Sequence, residues 1–303
     1  MRPMDAAEHD DRPVVRLGHS PDPDDVFMWW PLFEPAVVSS SRFAFEPVLI
    51  DIEAANRRAE AGVDCLEITA LSCGQYPRVA ENYVMTACGS SIGDGYGPKL
   101  VAAQSMSVDE LKKGERTIAI PGHRTTAALV TNLLLGPASF RALEVPFKDV
   151  AGCVLSGEAD AGVVIHEGQL TFEADGLVLV EDLGRWWLER TDLPLPLGLN
   201  VVRRDIEEMY GPGSLQEIAR MLEASIAYAQ SHPEEALARA QEHAGGISSS
   251  LTKAFVDLYV NRMTIDVGER GFQAVRRLLE EAASCGLVPP MECSDPLRSG
   301  SGV

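Results

Sequence analysis

The stretch "TIAIPGHRTTAALVTNLLLG" (Thr117–Gly136) changes its periodicity in the middle. Its first residues are apolar or β-branched, a composition typical of a short buried strand. After the turn residues of "PGHR", apolar side chains recur with helical spacing, and threonines stand where the helix begins. A strand that leads through a tight turn into a helix is the repeating unit of α/β proteins, so this stretch predicts an α/β fold.

Similar units fill the first part of the chain. Short β-like runs alternate with segments of helical spacing, which predicts mainly parallel sheets. From about Ile206 onward the pattern predicts helices only, most clearly over 214–232 and 266–286. The earlier helices are expected over 23–33, 53–62, 73–82, 125–136 and 147–158, and the strands over Val14–Ser20, Phe43–Ile50, Cys65–Leu71, Tyr83–Cys88, Lys99–Gln104, Thr117–Gly122 and Ala161–His166.

The length of 303 residues exceeds that of most single-core domains and predicts two lobes. The sheet pattern restarts near Thr117, and Leu193–Arg204 is an extended segment that leads back out. We therefore predict a first lobe at 14–103 plus 200–293, an inserted lobe at 104–199, and disorder at 1–13 and 294–303. Two α/β lobes joined by extended crossovers predict a hinged cleft with the ligand between them.

Composition excludes several classes of partner. A formal net charge of −19 argues against nucleic acid and against an anionic membrane surface. No apolar run is long enough to span a bilayer, and the N-terminus lacks the apolar core of a signal peptide, so a cytoplasmic protein is expected. None of the six cysteines forms a CxxC pair or a zinc-like spacing. An anionic substrate would need local cations or helix N-termini, and a homodimer is compatible with the sequence but not fixed by it.

Three strand-to-helix junctions are candidate binding sites, because ligands of α/β sheets bind at the carboxyl ends of strands. In "GHSPDPDDVF", Ser20 or Asp22 can cap the helix, and Asp24 and Asp25 suit its dipole. A capped helix is the simpler interpretation. A cation site is the alternative, although "DPDD" lacks the glycine turn and the distal glutamate of a calcium loop.

The second and third junctions carry hydroxyl groups. In "EITALSCGQY", Ser72 either caps a helix or faces a ligand. In "PGHRTTAALV", Arg124 brings a cation, and Thr125 and Thr126 bring hydroxyls beside free N–H groups, which suits a carboxylate or phosphate. An ordinary capped helix with a surface arginine is the alternative. The glycines of "GSSIGDGYGPKLVA" precede a strand, so they indicate turns of close backbone approach rather than a dinucleotide loop.

His166 stands at the end of a predicted strand in "AGVVIHEGQLTF". It is either a structural polar residue or, with its near-neutral pKa, a general base in the cleft. Glu167 could orient it, although adjacent strand residues point to opposite faces. No Ser–His–Asp triad, HExxH motif or cofactor motif is evident, so neither a metal nor a cofactor is expected.

Seven segments together resemble the 1,4-dihydroxy-6-naphthoate synthases of the futalosine route to menaquinone. The resemblance runs in order over about residues 14–290 and lies in "SPDPDDVFMWWPL", "GDGYGPKLV", "PGHRTTA", "IHEGQLTF", "DLGRWWLERTDLPLPLG", "HPEEAL" and "YVNRMTIDVGERG". It implies a two-lobed periplasmic-binding-protein fold of type 2. It also implies a cytoplasmic, cofactor-free lyase that converts cyclic dehypoxanthinyl futalosine to 1,4-dihydroxy-6-naphthoate. His166 would be the proton acceptor, and the substrate-binding residues would be Ala70, Ser72, Thr125, Thr126, Arg124, Ser20 and Asp25.

One segment departs from that family. Its members usually have Ser-Pro-Cys-Pro-Asn-Asp where this chain has acids at Asp22 and Asp24, and an added carboxylate would repel an anionic substrate. Two other functions therefore stay open. One is a non-catalytic solute-binding protein of the same fold, and the other is the sister chorismate dehydratase of the same pathway.

Overall fold

The computed structural model describes residues 11–113, 115–244 and 247–300. Within these ranges the strands form two sheets. The first sheet contains β1 (Val14–His19), β2 (Ala44–Leu49), β3 (Ile68–Ser72), β4 (Tyr83–Met85), β5 (Ser91–Gly93) and β11 (Leu195–Arg203). The second contains β6 (Lys99–Ala102), β7 (Thr117–Ile120), β8 (Arg141–Glu144), β9 (Ala161–Val164) and β10 (Val178–Asp182).

Both sheets are mixed, so the expectation of mainly parallel sheets is wrong. The first has the order β2–β1–β3–β11–β4, with β5 also on β11, and the second has the order β10–β6–β9–β7–β8. The pairs β1–β2, β1–β3, β7–β8 and β7–β9 are parallel. In contrast, β11 runs antiparallel to its three neighbours, and β6 runs antiparallel to β9 and β10. Strands β6 and β11 follow the two points where the chain passes from one sheet to the other, and each runs antiparallel to its neighbours.

The predicted helices are present with one exception, and the helices at Val108–Lys112, Gly168–Thr171 and Leu183–Thr191 were not predicted. Residues 73–82 form only a short 3₁₀ turn, Cys73–Arg78, because Pro77 lacks the N–H that an α-helix needs there. The α-helices are α1 (Pro23–Phe33), α2 (Ile52–Ala61), α3 (Val108–Lys112), α4 (Thr126–Leu135), α5 (Val150–Leu155), α6 (Gly168–Thr171), α7 (Leu183–Thr191), α8 (Ile206–Tyr210), α9 (Ser214–Ser231), α10 (Pro233–His243), α11 (Ser249–Tyr259), α12 (Arg262–Ile265) and α13 (Gly268–Ser284). No helix of the described residues is long and apolar enough to cross a membrane.

One apolar core reaches from the first sheet into the second. It includes Leu71 and Leu199 of the first sheet, Leu100 and Ile118 of the second, and Trp187 of α7, all with almost no exposed surface. A separate cluster packs α1, α9 and α10 against the first sheet, and a third packs α5 against the second. Buried apolar area therefore holds the sheets together beside the cleft described below.

The proposed lobe boundaries stay a prediction, and the strand pairing shows which strands share a sheet. The strands of 14–93 and 195–203 pair with one another, whereas β6 (Lys99–Ala102) already belongs to the second sheet. At the C-terminus, Leu297 pairs with Thr86, and the hydroxyl of Ser299 donates to Glu223. Residues 294–300 are thus held against the body of the protein, contrary to the expected disorder. Residues 11–13 are also held, since the carbonyl of Pro13 accepts from the N–H of Ala44 at 3.0 Å. The rest of the segments predicted to be disordered, 1–10 and 301–303, lies outside the described residues.

Candidate active site

A cleft opens where strand ends of both sheets meet. Its walls come from the β1–α1 junction, the end of β3, the start of α4, the segment after β9, the middle of β11 and the end of α11. The polar residues that line it are Ser20, Asp22, Asp24, Asp25, Ser72, Ser90, Ser91, Thr125, Thr126, His166, Gln169, Asn200 and Tyr259. Ala70 also lines the cleft. The three strand-to-helix junctions identified in the sequence therefore converge at one place.

The imidazole of His166 lies at the wall of this cleft. Its Nδ1 is 2.7 Å from Oδ2 of Asp22, and its ring packs edge-on against Phe147 with the ring centroids 4.6 Å apart. Its Nε2 has no hydrogen-bond partner within residues 11–113, 115–244 and 247–300. The backbone of His166 is left-handed, with φ of 53°, a conformation that concentrates at functional sites in residues other than glycine. The histidine is thus fixed on one side and open on the other.

Asp22, rather than Glu167, orients this histidine. Asp22 occupies the N-cap position of α1, but its side chain makes no capping hydrogen bond, contrary to the expected cap. Its carboxylate instead contacts His166 and accepts from the hydroxyl of Ser20 at 2.8 Å. The third carboxyl group of this junction, Asp25, accepts from the N–H of Ser20 at 2.9 Å. Ser20 is thus the centre of a small network and not itself a helix cap.

The ionisation of these groups follows from burial and from their mutual charges. Burial alone would lower the pKa of His166, but the charge and hydrogen bond of Asp22 outweigh it and raise the pKa to about 9. The pKa of Asp22 is lowered: burial acts against this shift, and the charge of His166 overcomes it. Burial, together with the two neighbouring carboxylates, raises the pKa of Asp24 well above its ordinary value. Asp22 and His166 therefore form an ion pair, and Asp24 favours the neutral acid.

The hydroxyls expected to bind substrate are mostly engaged by the protein. Thr125 caps α4, since its hydroxyl accepts from the N–H of Ala128 at 3.1 Å and donates to the carbonyl of Gly122. The hydroxyl of Thr126 donates to the carbonyl of Leu197 and accepts from the N–H of Gly74. Both threonines line the cleft, but the N–H of Thr125 donates to the carbonyl of Gly122 at 3.2 Å, so of the two only Thr126 can offer a ligand its main-chain N–H.

Ser72 differs from the two threonines. Its hydroxyl accepts from Nδ2 of Asn56 at 2.9 Å, and its N–H donates to Oδ1 of the same side chain at 2.9 Å. The proton of the hydroxyl is not used by Asn56. Ser72 can therefore donate a hydrogen bond into the cleft.

The expectation that Arg124 binds the substrate is not supported by its position. Its guanidinium bonds to Glu60 and lies 3.7 Å from Glu53, and Arg124 is not among the lining residues. Both acids belong to α2, which the sequence alone does not place beside α4. Within the described residues that line the cleft, His166 is the only basic side chain.

Three further lining residues carry no motif and could not be identified from the sequence. The hydroxyl oxygen of Ser90, Oε1 of Gln169 and Oδ1 of Asn200 are buried and have no hydrogen-bond partner in the described part of the chain. The other end of each amide is fixed, because Gln169 bonds to the hydroxyl of Tyr259 and Nδ2 of Asn200 donates to the carbonyl of Gly89 at 2.7 Å. Buried polar atoms are nearly always paired, so these three oxygens indicate where a ligand's polar groups would bind.

The glycine-rich segment confirms the turn interpretation. A Cβ on Gly93 would lie 2.0 Å from the carbonyl oxygen of Tyr96, and one on Gly97 would lie 2.8 Å from the amide nitrogen of Gly184. These glycines allow two backbone segments to pass close together. Within the same described ranges, no group of three or more histidine, cysteine, aspartate or glutamate side chains is arranged to hold a metal ion.

Comparison with known proteins identifies relatives along nearly the whole chain. A family model described as menaquinone biosynthesis matches residues 15–284. A Thermus thermophilus protein named 1,4-dihydroxy-6-naphthoate synthase is 41% identical over 277 residues, which cover 91% of this chain and 97% of that protein. A Streptomyces coelicolor protein of the same name is 32% identical over 282 residues, which cover 92% and 96% of the two chains. The resemblance inferred from the motifs is confirmed.

Solved structures agree with the predicted fold class. A crystal structure of a protein from Archaeoglobus fulgidus has a TM-score of 0.82 and 37% identity, with 91% of this chain and 98% of that chain covered. The alkanesulfonate-binding protein of Xanthomonas axonopodis has a TM-score of 0.66 at 12% identity, with 92% and 96% covered, and so shares the fold alone. The chain therefore has a periplasmic-binding-protein fold and belongs to the menaquinone biosynthesis family.

Proposed function

We propose that this chain is a lyase that converts cyclic dehypoxanthinyl futalosine to 1,4-dihydroxy-6-naphthoate, with His166 as the proton acceptor. The observation that carries the proposal is the imidazole at the cleft wall, whose Nδ1 is 2.7 Å from a carboxylate oxygen of Asp22. A general base acts in its neutral form, so His166 must first lose the Nε2 proton of its ion pair with Asp22, and turnover should rise with pH towards the pKa of about 9. With the remaining proton on Nδ1, the free lone pair is then on Nε2. The product is the one in the names of the relatives from Thermus thermophilus and Streptomyces coelicolor.

The start of α4 supports a position for the substrate carboxylate. Thr126 and Ala127 occupy the first turn, so their N–H groups have no acceptor inside the helix, and both residues line the cleft. The positive end of the helix dipole and the hydroxyl of Ser72 add to the attraction for an anion. We therefore place the carboxylate at this end of the cleft and away from Nε2 of His166.

The unpaired buried oxygens support a position for the substrate's hydroxyl groups. Oε1 of Gln169 and Oδ1 of Asn200 can only accept hydrogen bonds, and the hydroxyl of Ser90 can accept or donate. Such a wall repels a carboxylate and suits the hydroxyl groups of a sugar-derived ring. A substrate with an acid at one end and hydroxyls elsewhere thus matches the two polar parts of the cleft.

We also propose that the enzyme works in the cytoplasm and without a cofactor. The six cysteines all lie in the described ranges and are free thiols. Free thiols are the usual state in a reducing compartment. Proton abstraction by His166 requires no electron acceptor, so the reaction assay should need no addition beyond substrate and buffer.

A mass-resolved turnover assay tests the function. Purified protein would be incubated with cyclic dehypoxanthinyl futalosine, and we expect 1,4-dihydroxy-6-naphthoate to form. His166→Gln should lower turnover by about 100-fold or more, because a positioned general base contributes on the order of 10²- to 10⁴-fold. His123→Gln is the matched control, since His123 is an exposed histidine near the start of α4 that does not line the cleft.

The outcomes separate the three functions considered. Tight retention of the substrate without any product would indicate a solute-binding protein. Turnover of chorismate instead would indicate the sister dehydratase. Full activity of His166→Gln with normal product formation would reject His166 as the base while leaving the lyase function intact.

A further inference from the structure

We propose that Asp22 is a positioning residue for catalysis: it holds His166 in the tautomer whose proton is on Nδ1, so that Nε2 presents its lone pair to the substrate. The proposal rests on the proposed role of His166 as the general base. It assigns a function to the acidic residue at the start of α1 that the sequence left unexplained.

The geometry favours Asp22 over every other carboxyl group near the imidazole. Oδ2 of Asp22 lies 2.7 Å from Nδ1 of His166, a normal hydrogen-bond distance for a charged pair. Glu167, next to it in sequence, makes no hydrogen bond to the ring, and neither does Asp24. A neutral imidazole has one N–H, and an acceptor at Nδ1 places that proton there.

Asp22 is itself held in place by its neighbours. The hydroxyl of Ser20 lies 2.8 Å from Oδ2 of Asp22 and 2.8 Å from Oδ2 of Asp25, and it can donate to one of them at a time. The N–H of Asp22 donates to that hydroxyl at 3.1 Å. The side chain is 12% exposed and forgoes the helix cap that an aspartate at this position usually provides. A residue that gives up a local hydrogen bond for a distant one is typical of a functional site.

The histidine is constrained from the other side. Its left-handed backbone ends β9 early, and its carbonyl accepts from the N–H of Gln169 at 3.2 Å. The edge contact with Phe147 fixes the plane of the ring. With the backbone and the plane both fixed, the contact with Asp22 determines which nitrogen faces the cleft.

The charged groups that face His166 all bear on its basicity. Asp22 and Asp24 approach from the start of α1, and Glu167 lies on its own segment; each of the three favours the protonated ring. Asp22 alone adds a hydrogen bond to its charge. A change at Asp22 should therefore alter both the tautomer and the proton affinity, whereas a change at Glu167 should alter the proton affinity only slightly.

The first test needs no substrate. Protein labelled with ¹⁵N in its six histidines would be titrated by long-range ¹H–¹⁵N NMR, with His166 assigned by its loss in His166→Gln. Above its pKa, neutral His166 should carry its proton on Nδ1, the tautomer that free imidazole side chains disfavour. Observation of the Nε2–H tautomer would overturn the proposal, and because this measurement uses the wild-type chain it does not depend on a variant folding.

The second test compares Asp22→Asn with Glu167→Gln, each of which replaces an acid by its amide. In Asp22→Asn we expect the pKa of His166 to fall by one pH unit or more. On the pH plateau above that pKa, kcat should fall about 10- to 100-fold, with KM changed less than about threefold. Glu167→Gln should leave kcat within about threefold. A rise in KM alone, or equal effects of the two variants, would contradict a positioning role.

The two proposals fail in different ways. If the wild-type protein forms no product but His166 shows the Nδ1–H tautomer and the Asp22-dependent pKa, the pair exists and the lyase function is wrong. If product forms while the tautomer is Nε2–H, the lyase function stands and the role of Asp22 is wrong.

Discussion

Replacing Thr126 by valine should destabilise the protein while keeping the N–H groups that we expect to bind the substrate carboxylate. The hydroxyl of Thr126 donates to the carbonyl of Leu197 at 2.6 Å and accepts from the N–H of Gly74 at 3.2 Å. Leu197 lies where the register of β11 against β5 shifts, between Pro196 and Gly198. Gly74 lies in the first turn of the 3₁₀ segment, where N–H groups have no partner within the turn.

The magnitude follows from these two bonds. Valine has nearly the same shape as threonine, so the substitution leaves no large cavity, but it leaves one carbonyl and one N–H without a partner. Thr126 is 3% exposed, so water cannot readily replace its hydroxyl. A buried polar group left unpaired costs about 1–3 kcal/mol, and we expect the free energy of unfolding to fall by about 2–4 kcal/mol.

Urea unfolding, followed by tryptophan fluorescence, measures this loss. The matched control is Thr131→Val on the same helix, where the buried hydroxyl only adds a bond to the carbonyl of Ala127 at 2.8 Å. That carbonyl keeps its helical hydrogen bond, so the control should lose about 1 kcal/mol or less. Equal stability of the two variants would refute the argument that the Thr126 hydroxyl stabilises the fold by bonding to both Leu197 and Gly74. A large rise in KM without a loss of stability would show that the hydroxyl binds substrate instead.

Three further predictions concern pH, the cleft and a turn. The ion pair with Asp22 raises the pKa of His166 to about 9. The stabilising effect of the pair is complete below pH 6.5 and is lost as pH rises through 9, so the free energy of unfolding should fall by about 3 kcal/mol over that range. A free energy of unfolding by urea that does not change with pH would contradict the pair. Ser90→Ala removes an unpaired buried oxygen, so the melting temperature should stay equal or rise, while KM should increase about tenfold if that oxygen contacts substrate. Gly122→Ala would place a Cβ 2.4 Å from Oε2 of Glu53 at a φ of +144°, so the free energy of unfolding by urea should fall by about 2–4 kcal/mol. Gly157 has a φ of +80° and open space around it, so the free energy of unfolding of Gly157→Ala should fall by less.

Much of the secondary structure was predictable because it depends on local periodicity. The helix at Pro23–Phe33 and the strand at Thr117–Ile120 lie where the apolar spacing predicts them. Three short strands were not predicted: Ser91–Gly93, Arg141–Glu144 and Val178–Asp182. The first two have three or four residues and contain glycine or charged side chains, so pairing with a neighbour, not their own propensity, makes them strands.

The direction of the strands could not be predicted from local periodicity. Strand β11 adds antiparallel to β3, and β6 adds antiparallel to β9, because the chain crosses between the sheets at these points. A βαβ pattern indicates parallel neighbours only where strand, helix and strand stay in one sheet. The crossings break that condition, which is why the sheets are mixed.

The candidate site was predicted in part. The rule that ligands bind at the ends of strands correctly brought Ser72, Thr126 and His166 to one cleft. It did not anticipate that Arg124 pairs with Glu53 and Glu60 instead of lining the cleft, since the rule considers a residue's own loop and not the acids that α2 places beside it. It also missed Asp22 as the partner of His166, because two residues so far apart in sequence are brought together only by the packing of both junctions.

The acids at the start of α1 need not exclude an anionic substrate. Asp22 forms a pair with His166 that has no net charge, and the pKa of Asp24 is raised towards the neutral acid. The same pairing restricts how the substrate can bind. A carboxylate placed against Nε2 would stabilise the imidazolium further and make its deprotonation harder, whereas a carboxylate at the start of α4 adds no such contact to the ring. Proton abstraction by His166 therefore requires that the substrate carboxylate does not contact Nε2, and the free N–H groups of Thr126 and Ala127 offer it a separate partner.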